Sequence, residues 1–182
     1  MSKNMDRWKD TNHLLLSSIK DDIDINLRQV GNNRLNRFFI SSGLSEDDFS
    51  IDKKFVFVLT PYNKIFQETY YTIVKTCSTV GLKCSRGDEE YIASDFMTHI
   101  LRQILKASVI VANIEGRSPN VFYELGLAHA LDKNTILITR SMNELPADIK
   151  SKRIILYKDQ KNLEELLSKE FIKIFSDIDE KK

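Results

Sequence analysis

The stretch SVIVANIEGRSPNVFYELGLAHALDKNTILITR, Ser108 to Arg140, decides how the chain is read. Its first seven residues, Ser108 to Ile114, are apolar and rich in β-branched side chains, and a Gly-Arg-Ser-Pro loop ends them. That is the signature of a buried strand. Ser118 followed by Pro119 marks a helix start, with Ser118 as cap and proline in the first helical position. The helix runs to about Leu131, and a second apolar run, Thr135 to Arg140, follows a short Asp-Lys-Asn loop. Two strands joined through one helix by short loops must lie parallel.

Working outward, the same alternation recurs. Lys54 to Thr60 (KFVFVLT) reads as a buried strand stopped by Pro61. Ile65 to Thr79 reads as a helix, with Phe66, Tyr70, Ile73, Val74 and Cys77 on one face and Gly81 closing it. Leu82 to Ser85 is a short strand. Ser94 is a cap for a further helix whose inner face carries Phe96, Met97, Ile100, Ile104 and Leu105. Arg153 to Tyr157 is the last strand, and Leu163 to Phe175 the last helix. Five strands separated by helices predict an α/β fold: a flavodoxin-like parallel sheet in the order 2-1-3-4-5, with helices on both faces. Residues 51–178 form this domain. Residues 1–50 stand outside the alternation; Leu15, Ile19, Ile23 and Leu27 recur every four residues and predict a helical extension, a candidate homodimer surface or flap. Residues 179–182 read as a frayed tail.

Composition excludes several classes. Twenty-seven basic against 26 acidic residues give a formal charge of +1, so no electrostatic footprint for bulk nucleic acid or an anionic membrane exists. The N-terminus MSKNMDRWKD has no apolar core of a secretory signal, and runs such as Phe55 to Leu59 are too short to span a bilayer. The two cysteines, Cys77 and Cys84, form no metal or redox motif and read as reduced thiols. A cytoplasmic protein with neither metal nor redox cofactor is expected.

In an open α/β sheet a ligand sits beyond the carboxyl ends of the strands, where the strand order reverses. That point lies between the first and third strands, flanked by Thr60 to Asn63 and by Asn113 to Asn120. Gly116 lets backbone approach a ligand, Arg117 adds charge, and the helix start offers free N–H groups to an anion. Glu124 falls inside the helix among Tyr123, Leu125, Leu127 and Ala128, with Asn120 one turn earlier on the same side. Two readings of Glu124 stand: a solvated helix glutamate, or a desolvated carboxylate placed to meet a developing cation, such as a glycosidic C1′ as its base departs.

The motif running from Val109 to Thr139 resembles the group of nucleoside 2-deoxyribosyltransferase-like and TIR-like nucleotide N-glycosidases. The similarity extends back to FVFVLTPYNKIF and forward to LPADIKSKRIILY, roughly residues 54–160. It implies that Glu124 is the nucleophile or the stabiliser of a ribosyl cation. It implies that Thr60, Pro61 and Tyr62 contact base or sugar. The group usually has Asp at the end of the third strand, whereas this chain has Asn113; an amide holds a hydroxyl but is no base. A second carboxylate is usual in glycosidic chemistry. Its candidates are Asp88, Glu89, Glu90 and Asp95, with Asp88 first because Arg-x-Asp recurs there in the group. His129 is read as structural. The expectation is therefore cleavage or transfer at the N-glycosidic bond of a nucleotide or nucleoside. Glu124 and Asp88 are the catalytic candidates, and Thr60, Pro61, Tyr62, Asn113, Gly116, Arg117, Ser118 and Asn120 the binding candidates. NAD is a candidate substrate rather than a cofactor. The alternative is a non-catalytic nucleotide sensor or interaction module.

Overall fold

A computed structural model of the chain describes residues 37–87, 96–142, 149 and 152–179. The chain divides between Ser45 and Glu46 into two units. Of the first, residues 37–45 are described: a helical stretch at 37–41, closed by Gly43 at φ 69°. The Leu15 to Leu27 stripe and its dimer reading lie outside the described residues.

The second unit holds five strands: β1 (Asp52–Leu59), β2 (Lys83–Arg86), β3 (Ala107–Asn113), β4 (Asn134–Thr139) and β5 (Ile154–Leu156). All four pairings are parallel, in the order β2-β1-β3-β4-β5. The helices are α1 (Gln67–Thr79), α2 (Phe96–Lys106), α3 (Pro119–Ala130) and α4 (Gln160–Asp179). This is the doubly wound, flavodoxin-like architecture expected. Val56, Val58, Val109, Val111, Ile136 and Ile138 pack one sheet face against Tyr70 and Ile73 of α1 and Leu163, Leu167 and Phe171 of α4. Phe55, Phe57, Leu59, Ile110, Ala112 and Leu137 pack the other against Ile100 and Ile104 of α2 and Val121, Leu125 and Ala128 of α3. The period-2 alternation of side chains explains why strands so uniformly apolar serve two cores at once.

Gly81, at φ 75°, ends α1 as read: its N–H reaches Ser78 O and that of Leu82 reaches Cys77 O, the double bond of a Schellman close. The inner face of α2 differs from expectation. Phe96 and Met97 are exposed, and Leu101 and Thr98 are buried with Ile100, Ile104 and Leu105. The first turn of α2 lies toward the carboxyl end of the sheet, where the apolar strand rows stop. No helix among the described residues is long and apolar enough to cross a membrane.

Candidate functional site

The carboxyl ends of β1 and β3 lie side by side, Leu59 paired with Ala112, and each strand opens into a loop at this crest. Asn113, fully buried, fastens the two loops. Its Nδ2 donates to Thr60 Oγ1 at 3.3 Å, and its Oδ1 accepts the Glu115 N–H at 3.1 Å. Thr60 is buried too, at 4% exposure, as is Pro61. With both ends of the amide engaged and no exposed surface, Asn113 is a strut for the crest rather than a surface that a sugar hydroxyl can reach.

Beyond Asn113 the chain makes a tight turn, Glu115–Arg117, with Gly116 at φ 70° and Arg117 at φ 49°. Glycine is required at 116 twice over: for the left-handed backbone, and because a Cβ there would stand 2.9 Å from Phe66 Cζ. Ser118 occupies the N-cap position and Pro119 the first turn, as read, but the Ser118 side chain makes no capping hydrogen bond. The cap reading of that hydroxyl is corrected. Its backbone is held at φ −59°, ψ 121°, the extended geometry a residue before proline adopts.

Glu124 lies on the buried stripe of α3 with Val121, Leu125 and Ala128, at 7% exposure. The reading as a solvated glutamate is therefore excluded. Burial alone pushes its carboxyl from 4.5 up to about 7, and no donor or cation among the described residues offsets it. Asn120, one turn earlier, is exposed. Asp88, Glu89, Glu90 and Asp95 lie outside the described residues. His129 meets Thr135 Oγ1 at 3.1 Å, and desolvation, aided by Lys152, holds its pKa below the usual value.

Two features of the crest escaped the sequence. On the β4 side, Glu115 accepts the Arg140 backbone N–H at 2.7 Å, while the Arg140 guanidinium lies 5.2 Å from the Tyr157 ring centre. Burial pushes Tyr157 up to about 12. A small cavity of about 160 Å³ opens here, lined by Ile114, Glu115, Gly116, Arg117, Thr139, Arg140 and Ser141. It takes in Gly116 and Arg117 of the expected set; Thr60, Tyr62, Asn120 and Glu124 are not in its wall. On the β2 side, the Arg86 guanidinium lies 4.3 Å from the Tyr70 ring centre and 5.6 Å from that of Tyr62. The Arg86-Gly87-Asp88 run carries the signal here in its arginine.

No protein-family model matches the chain, and no curated protein matches its sequence. Solved structures do match. One is the TIR domain of the Toll-related receptor TRR-2 from Hydra magnipapillata, at 14% identity and TM-score 0.54, covering 66% of this chain and 97% of that one. Another is the CMP N-glycosidase BcmB from Clostridium botulinum, at 18% identity and TM-score 0.50, covering 63% of this chain and 98% of that one. At such identities the likeness is one of fold.

Proposed function

We propose that the chain cleaves or transfers at the N-glycosidic bond of a nucleotide or nucleoside, with Glu124 meeting the positive charge that grows at C1′. The observation that carries this is the state of Glu124: a carboxyl held on an apolar helix stripe, pushed to about 7, with no described donor to stabilise its charge. Such a group costs stability and is found where chemistry needs it. A cation forming beside the ionised carboxylate supplies the missing partner.

As the C1′–N bond breaks, its electron pair leaves with the base, which takes up a proton. Glu124 either stabilises the ribosyl cation until water adds at C1′, or adds there itself as a glycosyl ester that water or an acceptor then discharges. Asp88 is the proposed second carboxylate. Gly116, Arg117, Ser118 and the first turn of α3 are proposed to take phosphate, Asn120 a sugar hydroxyl, and Thr60, Pro61 and Tyr62 the base or sugar. Asn113 acts through them, fixing Thr60 and the turn at Glu115. Nucleoside monophosphates and NAD are the candidate substrates.

The test is release of free base from a pool of nucleoside 5′-monophosphates, nucleosides and NAD, read by mass spectrometry. Glu124→Gln should lower turnover at least about a hundredfold, some 2.7 kcal/mol of transition-state stabilisation. An undiminished rate in that variant defeats the assignment. A second reading, a nucleotide-binding module without catalysis, is favoured by Asn113, an amide where the resembled group usually has an acid. Nucleotide binding without release of base decides for it.

A further inference from the structure

Arg86 ends β2, and its neighbour in register on β1 is Val58, which faces α1. Paired residues in parallel strands share a face, so Arg86 also faces α1. There its guanidinium lies over the Tyr70 ring at 4.3 Å, with Nη1 at 3.5 Å from Gln67 Oε1. The next residue, Gly87, faces the opposite side. A Cβ on it would meet Ile100 Cδ1 at 2.3 Å, Phe57 Cζ at 3.6 Å and the Tyr62 hydroxyl at 3.0 Å. Tyr62 thus spans the end of β2, with the Arg86 guanidinium over its ring at 5.6 Å and Gly87 against its hydroxyl. Yet the residue is 48% exposed. A half-exposed aromatic ring held by Arg86 at the ligand end of the sheet offers a stacking surface.

We infer that Arg86 is a positioning residue that holds Tyr62 as the stacking platform for the nucleobase, which rests on the reading of the crest as a nucleotide site. The planar guanidinium suits this role because it lies over both tyrosine rings and keeps its N–H edge for Gln67, where a lysine ammonium offers only a point charge. Tyr70, at 3% exposure, anchors the stack to the core. Gly87 leaves room beneath Ile100 and the Tyr62 hydroxyl, which a Cβ would meet at 2.3 and 3.0 Å. The base is then recognised by its π-face, so that preference among bases follows stacking strength rather than a set of edge hydrogen bonds.

The test is calorimetric binding of the four nucleoside 5′-monophosphates to the full chain carrying Glu124→Gln, which suppresses turnover. Onto it are placed Arg86→Lys, Arg86→Met, Tyr62→Ala and the Arg86→Met/Tyr62→Ala pair. Tyr62→Ala should weaken binding about tenfold and Arg86→Met about fivefold, with Arg86→Lys between Met and the parent. The pair should bind no more weakly than Tyr62→Ala alone, because Arg86 acts through that ring. Losses that multiply, to about fiftyfold, overturn the inference while leaving the nucleotide site intact; so does an Arg86→Met chain that binds as the parent does. If Arg86→Met does not fold, Arg86→Lys carries the same comparison, its loss vanishing in the Tyr62→Ala background. Failure of the unsubstituted chain to bind any nucleotide overturns the site reading and this inference together.

Discussion

Replacing Glu124 with glutamine tests the state of that carboxyl without any knowledge of the substrate. Its pKa rises from 4.5 to about 7 on folding, and the cause is burial. Below pH 4.5 both folded and unfolded chains hold the proton, and folding is not penalised. Between 4.5 and about 7 the unfolded chain releases the proton while the folded chain keeps it, so stability falls as pH rises. Above about 7 the folded state is ionised too and the loss levels off. Holding the proton up to about 7 rather than 4.5 corresponds to about 3 kcal/mol at pH 8, and partial titration leaves about 1 kcal/mol at pH 5. Glutamine fills the same space with no charge at any pH. The variant should therefore gain on the parent by about 2 kcal/mol between pH 5 and pH 8, or roughly 4–8 °C in Tm for a chain of this size. Urea unfolding of both proteins at the two pH values measures it. A fixed cost of burying the amide appears equally at both, so the change in the difference is the quantity to read. A difference independent of pH, or one that moves against the variant as pH rises, would show that a donor already stabilises the charge and would refute the account of Glu124.

Two further outcomes follow from the same geometry. If Glu124 acts ionised, as nucleophile or cation stabiliser, kcat/KM should rise with pH and level off above about 7; a limb that falls through that range makes Glu124 a general acid instead. Gly116→Ala should cost about 2 kcal/mol or more, since it combines a positive φ with a 2.9 Å approach to Phe66, and a melting temperature within a degree of the parent would show that Phe66 yields freely.

Much of this architecture is legible in the chain because each boundary is written in residues with one physical meaning. Pro61 stops β1, Gly81 supplies the left-handed close of α1, and Ser118-Pro119 sets the start of α3. Apolar runs too uniform to alternate imply strands covered on both faces, and with helices between them the parallel order follows. The depth of Glu124 is not legible: the sequence sets it on the side of Asn120, which is exposed, and leaves a solvated glutamate open, while its burial with Val121, Leu125 and Ala128 follows from how α3 packs. Nor is Arg86, because an arginine at a strand end reads as a solvated terminus, and Tyr62 and Tyr70 are brought to it only by the β1–β2 pairing. Phe96 and Met97 have the right phase for the core, but phase gives no information on where the sheet ends beneath the helix.

The least legible quantity is whether a carboxylate has a partner, and that separates Glu115 from Glu124. Glu115 is half-buried, and the sequence gives it no special place. Its Oε1 meets the Arg140 N–H at 2.7 Å, with Arg140 Nε at 3.9 Å. Those contacts tie the loop after β3 to the end of β4. Glu124 is more deeply buried, and no described donor reaches it. Removing Glu115 should loosen the crest; removing Glu124 should tighten the fold and stop the reaction. A transition state gains only from charge that the ground state leaves unsatisfied. On the proposed reading, Glu124 is the carboxyl with such charge to give, because burial raises its pKa and no described donor reaches it.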